Sequence, residues 1–329
     1  MSARDAIIEK FLEAEGWGTA TRVQVAGDAS NRRYDRLTQA DGRTAILMDA
    51  PPEKGENVRP FVFLSNWLRA RGLSTPEIYA ENTAEGVLII EDFGDDLFAR
   101  LMVNDPDQID PLYRAAVEVL LTLRSIEKPA LTPCDAAWLT EMLEPAFEWY
   151  APHLTTAQRA DIETIFDPFA QEVAQQETVI MLRDYHVENL LLLPDRGGVA
   201  RVGLLDFQDA MLAHPAYDLV SILQDARRDV DQAIEEKFVT YYLDQAGMDL
   251  ERFRRDYAVL GLQRNLRIVG IFARLSQRDG KPHYVDMIPR VWGYVLRNLA
   301  HPDLAELRAC ITAAFPNPTP DLLRGLKTP

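Results

Sequence analysis

MLRDYHVEN, at residues 181–189, and LLDF, at residues 204–207, are the most informative segments of this 329-residue chain. The first contains Asp184 and, five residues later, Asn189; the second ends an apolar run with Asp206. Between Asn189 and Asp206 lie two short apolar stretches around the turn sequence PDRGG, residues 194–198. This pattern predicts a β-hairpin, which would bring Asn189 and Asp206 side by side.

These three residues have the chemistry that phosphoryl transfer requires. One carboxylate receives the proton of the acceptor hydroxyl, and an amide with a second carboxylate holds magnesium on the phosphates of the donor. The alternative is a buried strand–turn–strand segment in which Asp and Asn only form turns and caps, as they often do. The joint spacing of the three residues and the hairpin between them favour phosphoryl transfer.

The two segments resemble the catalytic loop and metal motif of the protein-kinase-like phosphotransferases, chiefly the branch of aminoglycoside phosphotransferases and choline kinases. The resemblance implies that Asp184 is the catalytic base, that Asn189 and Asp206 bind Mg²⁺, and that ATP is the phosphoryl donor. The branch usually has a His two residues before the base, where this chain has Leu182. Arg183 instead gives the chain the Arg-Asp step of protein kinases.

The composition excludes several classes of function. A formal net charge of −16 opposes binding to nucleic acids and to anionic membranes. The two cysteines, Cys134 and Cys310, form neither a disulfide framework nor a zinc signature. No apolar run approaches membrane-spanning length, and the first residues do not have the pattern of a secretory signal. We therefore expect a soluble cytoplasmic enzyme whose partner is a small-molecule substrate.

The order of predicted elements indicates an α+β, protein-kinase-like bilobal fold. Residues 1–92 are expected to form a nucleotide-binding lobe, a small mixed β-sheet with one helix at 61–70, preceded by an amphipathic helix at 3–15. Residues 93–329 are expected to form a larger, mainly α-helical catalytic and substrate-binding lobe. Strands are predicted at 21–26, 33–37, 44–48, 78–81 and 87–90, and helices of the second lobe at 113–126, 137–150, 156–176, 217–228, 232–246, 250–277 and 288–300.

Two segments are predicted to contact the nucleotide. GDASNRR, residues 27–33, lies between the first two strands, where small residues admit a phosphate and the arginines offer paired donors. The same sequence is also typical of an ordinary hairpin tip. EDFG, residues 91–94, is the predicted connector between the lobes, and the resemblance implies that its backbone binds adenine. The predicted nucleotide-binding residues are Gly27, Ser30, Arg32, Arg33, Glu91 and Phe93.

The third predicted strand departs from the resembled family. In such kinases this strand contains a Lys that binds the phosphates and forms an ion pair with a Glu on the following helix. Here Met48 takes the Lys position, and the helix at 61–70 has no Glu. Losing both partners avoids a lone buried charge, which costs on the order of several kcal/mol. We expect Arg32 or Arg33 to replace the Lys; the alternative is a nucleotide-binding pseudokinase.

Further segments narrow the resemblance. GDAS at 27–30, MDAPPE at 48–53, QRNLR at 263–267 and GIFARL at 270–275 are similar to the anomeric N-acetylmuramate/N-acetylglucosamine kinases of bacterial cell-wall recycling. This similarity implies transfer of the γ-phosphoryl group of ATP to the C1 hydroxyl of a free amino sugar. A kinase of aminoglycosides or of another small molecule is the alternative.

Substrate contacts are predicted at Tyr185 and His186, which directly follow the predicted base, and at Arg264 and Asn265. Arg264 falls within the apolar stripe of the helix at 250–277, where a guanidinium must find a carboxylate or a polar cavity. A structural cation at Arg264 and a packing role for His186 are the alternatives. Asp218 resembles the Asp that braces the catalytic loop in this fold, and no chemical role is assigned to it.

Overall fold

A computed structural model describes residues 3–25 and 31–327 of the chain. The backbone contacts define two compact units, one formed by Met1–Ile109 and Val187–Asp209, the other by Asp110–His186 and Ala210–Pro329. Asn189 and Asp206 thus belong to the first unit, and Asp184 belongs to the second. The lobe boundary expected after residue 92 stays a prediction.

The described residues form nine short strands and twelve α-helices. The strands are β1 (Thr21–Gln24), β2 (Arg33–Thr38), β3 (Thr44–Asp49), β4 (Ile78–Asn82), β5 (Val87–Ile90), β6 (Val179–Met181), β7 (Leu190–Leu192), β8 (Val202–Leu204) and β9 (Met211–Ala213). The α-helices are α1 (Ala3–Ala14), α2 (Arg59–Arg69), α3 (Phe98–Asn104), α4 (Ile109–Ser125), α5 (Ala136–Glu141), α6 (Thr156–Ala174), α7 (Ala216–Leu223), α8 (Gln232–Ala246), α9 (Leu250–Gln277), α10 (Ile288–Leu299), α11 (Ala305–Ala314) and α12 (Pro320–Leu326).

The main sheet of the first unit has the strand order β1-β2-β3-β5-β4, and every pairing is antiparallel. The expectation of a mixed sheet is therefore wrong in this detail. The chain passes from β3 through α2 to the edge strand β4, and β5 then returns between them. β3 and β4 run in the same direction, and β5 separates them, so they are not neighbours.

The core of the first unit lies between α1 and this sheet. Alternate residues of a strand point to the same face, so Ala45 and Leu47 of β3 face the helix together. Both are fully buried, as is Ile8 of α1. The remaining buried members of this cluster are Phe11, Leu12, Leu37, Val87 and Ile89.

The second unit is built mainly of helices around α9, whose 28 residues are predominantly buried. Gly270 of α9 allows a close approach, because a Cβ there would overlap the backbone of Pro145 and Ala146. The helix predicted at 137–150 is interrupted: α5 ends at Glu141, and a π-helical turn follows at Ala146–Tyr150. Pro145 lacks the backbone N–H that a continuous helix would need at this point.

Other helices also differ from the predictions. The helix predicted at 217–228 ends at Leu223, and the predictions did not include α3, α11 or α12. Within residues 3–25 and 31–327, no helix is both long and apolar enough to span a membrane.

Candidate active site

The hairpin predicted between Asn189 and Asp206 is confirmed. β7 and β8 pair antiparallel, with Leu190 opposite Leu204. The Leu205 N–H continues the ladder by donating to the Asn189 carbonyl oxygen at 3.0 Å. The connection between the strands is longer than a simple turn, because it includes a 3₁₀ segment at Gly198–Arg201. Asn189 and Asp206 therefore leave the same end of the hairpin, within the first unit.

Asp206 has an unusual backbone conformation. Its φ of 56° lies in the left-handed region, which is uncommon for residues other than Gly. Its carboxylate Oδ1 accepts a hydrogen bond from the buried Gln208 amide at 2.7 Å. The next residue, Phe207, stacks on Phe61 of α2 with 5.0 Å between ring centroids. Contacts on both sides thus hold Asp206 in this conformation.

The donor set of Asn189 and Asp206 fits magnesium. An amide oxygen and a carboxylate are the hard oxygen ligands that Mg²⁺ prefers, and Mg²⁺ is often held by one or two carboxylates together with substrate phosphates. Over the described ranges, no three His, Cys, Asp or Glu side chains converge on a metal site of their own. The oxygen donors of Asn189 and Asp206 are therefore of the kind that holds Mg²⁺ together with substrate phosphates.

In the second unit, the loop that carries Asp184 follows β6 and is braced by α7. Arg183 has a φ of 69°, also in the left-handed region. The Asp218 carboxylate accepts the backbone N–H of Leu182 at 2.5 Å and that of Arg183 at 3.1 Å. The Ser221 hydroxyl donates to the Arg183 carbonyl oxygen at 3.4 Å. Both backbone polar groups of Arg183 are therefore held, and the bracing contact expected of Asp218 is present.

Burial dominates the electrostatics of Asp218. It raises the pKa of this carboxyl from an ordinary 3.8 to about 7, against the opposing effect of the two backbone N–H donors. Arg264 of α9 is likewise buried, and burial lowers the pKa of its guanidinium, whereas Tyr217 and Asp184 act in the opposite direction. The carboxylate of Asp184 is therefore one of the groups that raise the pKa of Arg264.

Arg264 is linked to the loop that carries Asp184 through the Ser221 hydroxyl. Its Nη2 donates to the Ser221 Oγ at 2.7 Å, and Ser221 in turn contacts Arg183. Its Nη1 is buried and has no hydrogen-bond partner in the part of the chain that the structure describes. The predicted need of this guanidinium for a polar environment is thus met only in part by protein groups.

The other predicted substrate residues are buried beside this loop or on α9. Tyr185 donates its hydroxyl to the Ala116 carbonyl at 2.8 Å, and Asn265 donates its amide to Gln224 at 2.7 Å. His186 Nε2 faces Arg227 Nη1 at 3.1 Å; since a guanidinium only donates, Nε2 accepts. Burial, with Arg227 and Arg264, lowers the pKa of His186 well below 6.5, so the ring is neutral at pH 7. The substrate assignments of these residues stay predictions.

The predicted nucleotide-binding residues lie in different surroundings, and their roles stay predictions. Gly27 and Ser30 lie outside the described residues. Arg32 forms an ion pair with Glu56, with 2.8 Å between Nε and Oε2, whereas Arg33 has longer contacts to acidic groups.

The connector residues Glu91 and Phe93 are both tied to their surroundings in the first unit. The Glu91 carboxylate pairs with Arg69 and Arg196. The Phe93 ring lies against Gly203 of β8, where a Cβ would come within 2.8 Å of it. The side chains of both residues are therefore occupied, and the Glu91 backbone N–H donates to the Glu77 carbonyl oxygen at 2.8 Å. The contact of this segment with adenine stays a prediction.

Three supporting residues were missed by the sequence analysis. Ser221 lies three residues after Asp218 on α7, so the helical period places both on one face and could have indicated it. Gln208 lies two residues after Asp206, and this proximity was the available signal. Glu56 gave no local signal, because it lies 24 residues from Arg32 in the sequence.

Solved structures share this fold. A choline kinase from Streptococcus pneumoniae superimposes with a TM-score of 0.64 at 15% identity, covering 90% of this chain and all of that one. An aminoglycoside-3'-phosphotransferase of type VIII gives a TM-score of 0.57 at 17% identity, covering 78% and 97%. The expected protein-kinase-like α+β fold is thereby confirmed.

Sequence relatives extend over almost the whole chain. An N-acetylmuramate/N-acetylglucosamine kinase from Caulobacter vibrioides is 39% identical, over 94% of this chain and 96% of its own length. A protein of the same name from Pseudomonas aeruginosa is 33% identical, over 92% of both chains. The family model described as "Phosphotransferase enzyme family" matches residues 21–257. The chain therefore belongs to this family and is a phosphotransferase.

Proposed function

We propose that this enzyme transfers the γ-phosphoryl group of ATP, with magnesium, to the C1 hydroxyl of N-acetylmuramate or N-acetylglucosamine. We place this reaction in the cytoplasm, in bacterial cell-wall recycling. The observation that carries the proposal is the 39% identity with the Caulobacter kinase of that name over 94% of the chain. That span takes in nearly all of both units, so the proposed acceptor does not depend on one motif.

Asp184 is the base in this proposal. Its carboxylate takes the proton of the C1 hydroxyl while the oxygen forms its bond to the γ-phosphorus and the bond to the β,γ-bridging oxygen breaks, releasing ADP. The preceding residue, Arg183, is held at its N–H by Asp218 and at its carbonyl by Ser221. A base on a loop restrained in this way keeps its orientation, which is a large part of what a kinase contributes to the rate.

Asn189 and Asp206 are the proposed magnesium ligands. When bound there, the ion would neutralise charge on the donor phosphates. Gln208 donates to one carboxylate oxygen of Asp206 and so restrains its rotation. Such outer contacts commonly orient the groups that bind a metal.

The acidity of the proposed acceptor hydroxyl is consistent with a site that lacks the usual Lys. A C1 hydroxyl belongs to a hemiacetal and is more acidic than an ordinary alcohol, so its attack needs less assistance. This fits a chain with Met48 at the position where a Lys would normally grip the phosphates. Arg264, with its buried Nη1, and Asn265, with an amide oxygen that lacks a partner in the described chain, are the proposed contacts to the sugar. Tyr185 and His186, the two residues after Asp184, are further proposed contacts to the sugar.

The test is ADP release by the purified protein with Mg-ATP and a panel of acceptors. We expect turnover with N-acetylglucosamine or N-acetylmuramate and none with kanamycin or choline. Asp184→Asn serves as the inactive control in every reaction. Faster turnover of kanamycin than of either sugar would move the enzyme to the aminoglycoside branch. ATP binding with no acceptor turned over would instead indicate a pseudokinase.

A further inference from the structure

Glu56 connects two neighbouring residues of the first unit through its two carboxylate oxygens. Oε2 accepts Arg32 Nε at 2.8 Å, and Oε1 accepts the Asn31 backbone N–H at 3.1 Å. The Asn31 side chain adds a third contact by donating to the Lys54 carbonyl oxygen at 3.2 Å. The backbone at residue 31 and the side chain of residue 32 are thus anchored to the same short segment, residues 54–56.

The Arg32–Glu56 pair is largely shielded from water, since each side chain is 11% exposed. A charge-assisted hydrogen bond with little solvent competition is stronger than one on an open surface. Because Glu56 binds Nε, it sets the plane of the guanidinium, whose other N–H groups are on the two terminal nitrogens. The Tyr34 side chain also interacts with the Arg32 guanidinium.

The other candidate cation, Arg33, is held less firmly. Its side chain is 39% exposed, and its contacts to Asp35 and Asp49 measure 3.4 and 3.7 Å. A more exposed side chain with longer contacts has more freedom to lose when it binds a ligand. Of the two arginines expected to replace the Lys, Arg32 is therefore the preorganised one.

We propose that Glu56 is a positioning residue of the nucleotide site, which fixes Arg32 so that its guanidinium binds the phosphates of the donor. This inference rests on the proposed use of ATP. The arrangement supplies an oriented cation without any charge at Met48, which is fully buried in β3. A cation oriented before the reaction stabilises charge on a transferring phosphoryl group without a further cost of reorganisation.

The test measures binding of Mg-ATP and of adenosine by calorimetry, for the wild type and for Arg32→Ala, Glu56→Ala, Glu56→Gln and the double Ala variant. We expect Arg32→Ala and Glu56→Ala each to weaken ATP binding about tenfold, as loss of a charge-assisted contact does. Adenosine binding should stay within about twofold, because adenosine has no phosphate. The double variant should bind ATP no more weakly than Arg32→Ala, since Glu56 acts through Arg32.

Two further variants keep the result interpretable. Glu56→Gln preserves the shape of the side chain and one acceptor oxygen, so we expect a smaller loss of ATP affinity, and it replaces Glu56→Ala if that protein does not fold. Asp41→Ala breaks a similar contact at the β2–β3 turn, where Asp41 Oδ2 accepts Arg43 Nε at 2.7 Å. This exposed pair should not affect ATP binding.

Three outcomes would overturn the inference: equal losses for ATP and adenosine, additive losses in the double variant, or unchanged ATP affinity in both Glu56 variants. Wild-type protein that does not bind ATP would overturn it together with the proposed function. Wild-type protein that binds ATP but phosphorylates neither sugar would reject the proposed acceptor alone.

Discussion

Asp218 accepts the backbone N–H of Arg183 at 3.1 Å, and Arg183 has a positive φ of 69°. Among residues 3–25 and 31–327, only Arg183 and Asp206 combine a side chain with a positive φ. One precedes the proposed base and the other is a proposed metal ligand. Left-handed backbone at such residues costs about 1–3 kcal/mol each and is commonly found at functional sites, where surrounding contacts maintain it.

The carboxyl group of Asp218 should make stability depend on pH in a defined direction. Burial raises its pKa from 3.8 to about 7 in the folded protein. Between these values the folded chain retains a proton that the unfolded chain has lost, so this group lowers the free energy of unfolding as pH rises from about 4 to about 7. Asp218→Asn removes that term.

Denaturant unfolding of Asp218→Asn and wild type at several pH values checks this expectation. The free energy of unfolding of the variant minus that of wild type should increase from pH 5 to 7 and level off above pH 8. Asp244→Asn, which changes an exposed carboxylate on α8, serves as the control. A difference that is the same at every pH would contradict the raised pKa of Asp218.

Asp184 and Asp206 should fail in different ways when each is changed to Asn. Asp184→Asn removes the proton acceptor, so kcat should fall by about a thousandfold while Mg-ATP affinity is kept. Asp206→Asn removes a charged ligand, so it should weaken magnesium-dependent nucleotide binding. Steady-state kinetics and calorimetry with and without magnesium separate the two effects. Equal and mild effects of both changes would reject the assigned roles.

Gly270 should be one of the most sensitive positions of the second unit. A Cβ there would overlap the backbone of Pro145, which cannot move as a flexible side chain can, so Gly270→Ala should destabilise the protein by about 3 kcal/mol or more. Gly293 of α10 is the matched control. It is exposed and has open space around it, so Gly293→Ala should stabilise the protein by up to about 1 kcal/mol. Thermal unfolding of both variants measures these changes in stability. If Gly270→Ala were as stable as the wild type, α9 would have to move away from Pro145 without cost, and the prediction would be wrong.

Local spacing explains why part of the site could be predicted from the sequence. The turn at residues 194–198 separates two apolar stretches, and this is sufficient to predict that Asn189 and Asp206 meet. Asp218 was recognised only by resemblance, since its contact with Arg183 joins segments 35 residues apart. The sequence could indicate Arg32 as a candidate phosphate ligand. Its contact with Glu56 could not be predicted, because it depends on the path of the chain between two residues 24 positions apart.

The antiparallel sheet was missed for a similar reason. The positions of the strands follow from the local alternation of polar and apolar residues. The order of the strands depends instead on where the chain places β4 after α2. No residue within β4 or β5 reveals that β5 will lie beside β3. The interruption at Pro145 was visible in the sequence, but the apolar pattern at 137–150 favoured a continuous helix.

The acceptor hydroxyl can be identified by blocking one oxygen of the sugar. The methyl glycosides of N-acetylglucosamine and N-acetylmuramate keep every other hydroxyl and lose only the one at C1, so we expect them to be inert. The product from the free sugars should be acid-labile and silent in reducing-end assays, because C1 is then blocked. Coupled ADP release measures the rates, with the free sugar as the matched control. Phosphorylation of a methyl glycoside at a rate comparable to that of the free sugar would show that Asp184 serves a different hydroxyl.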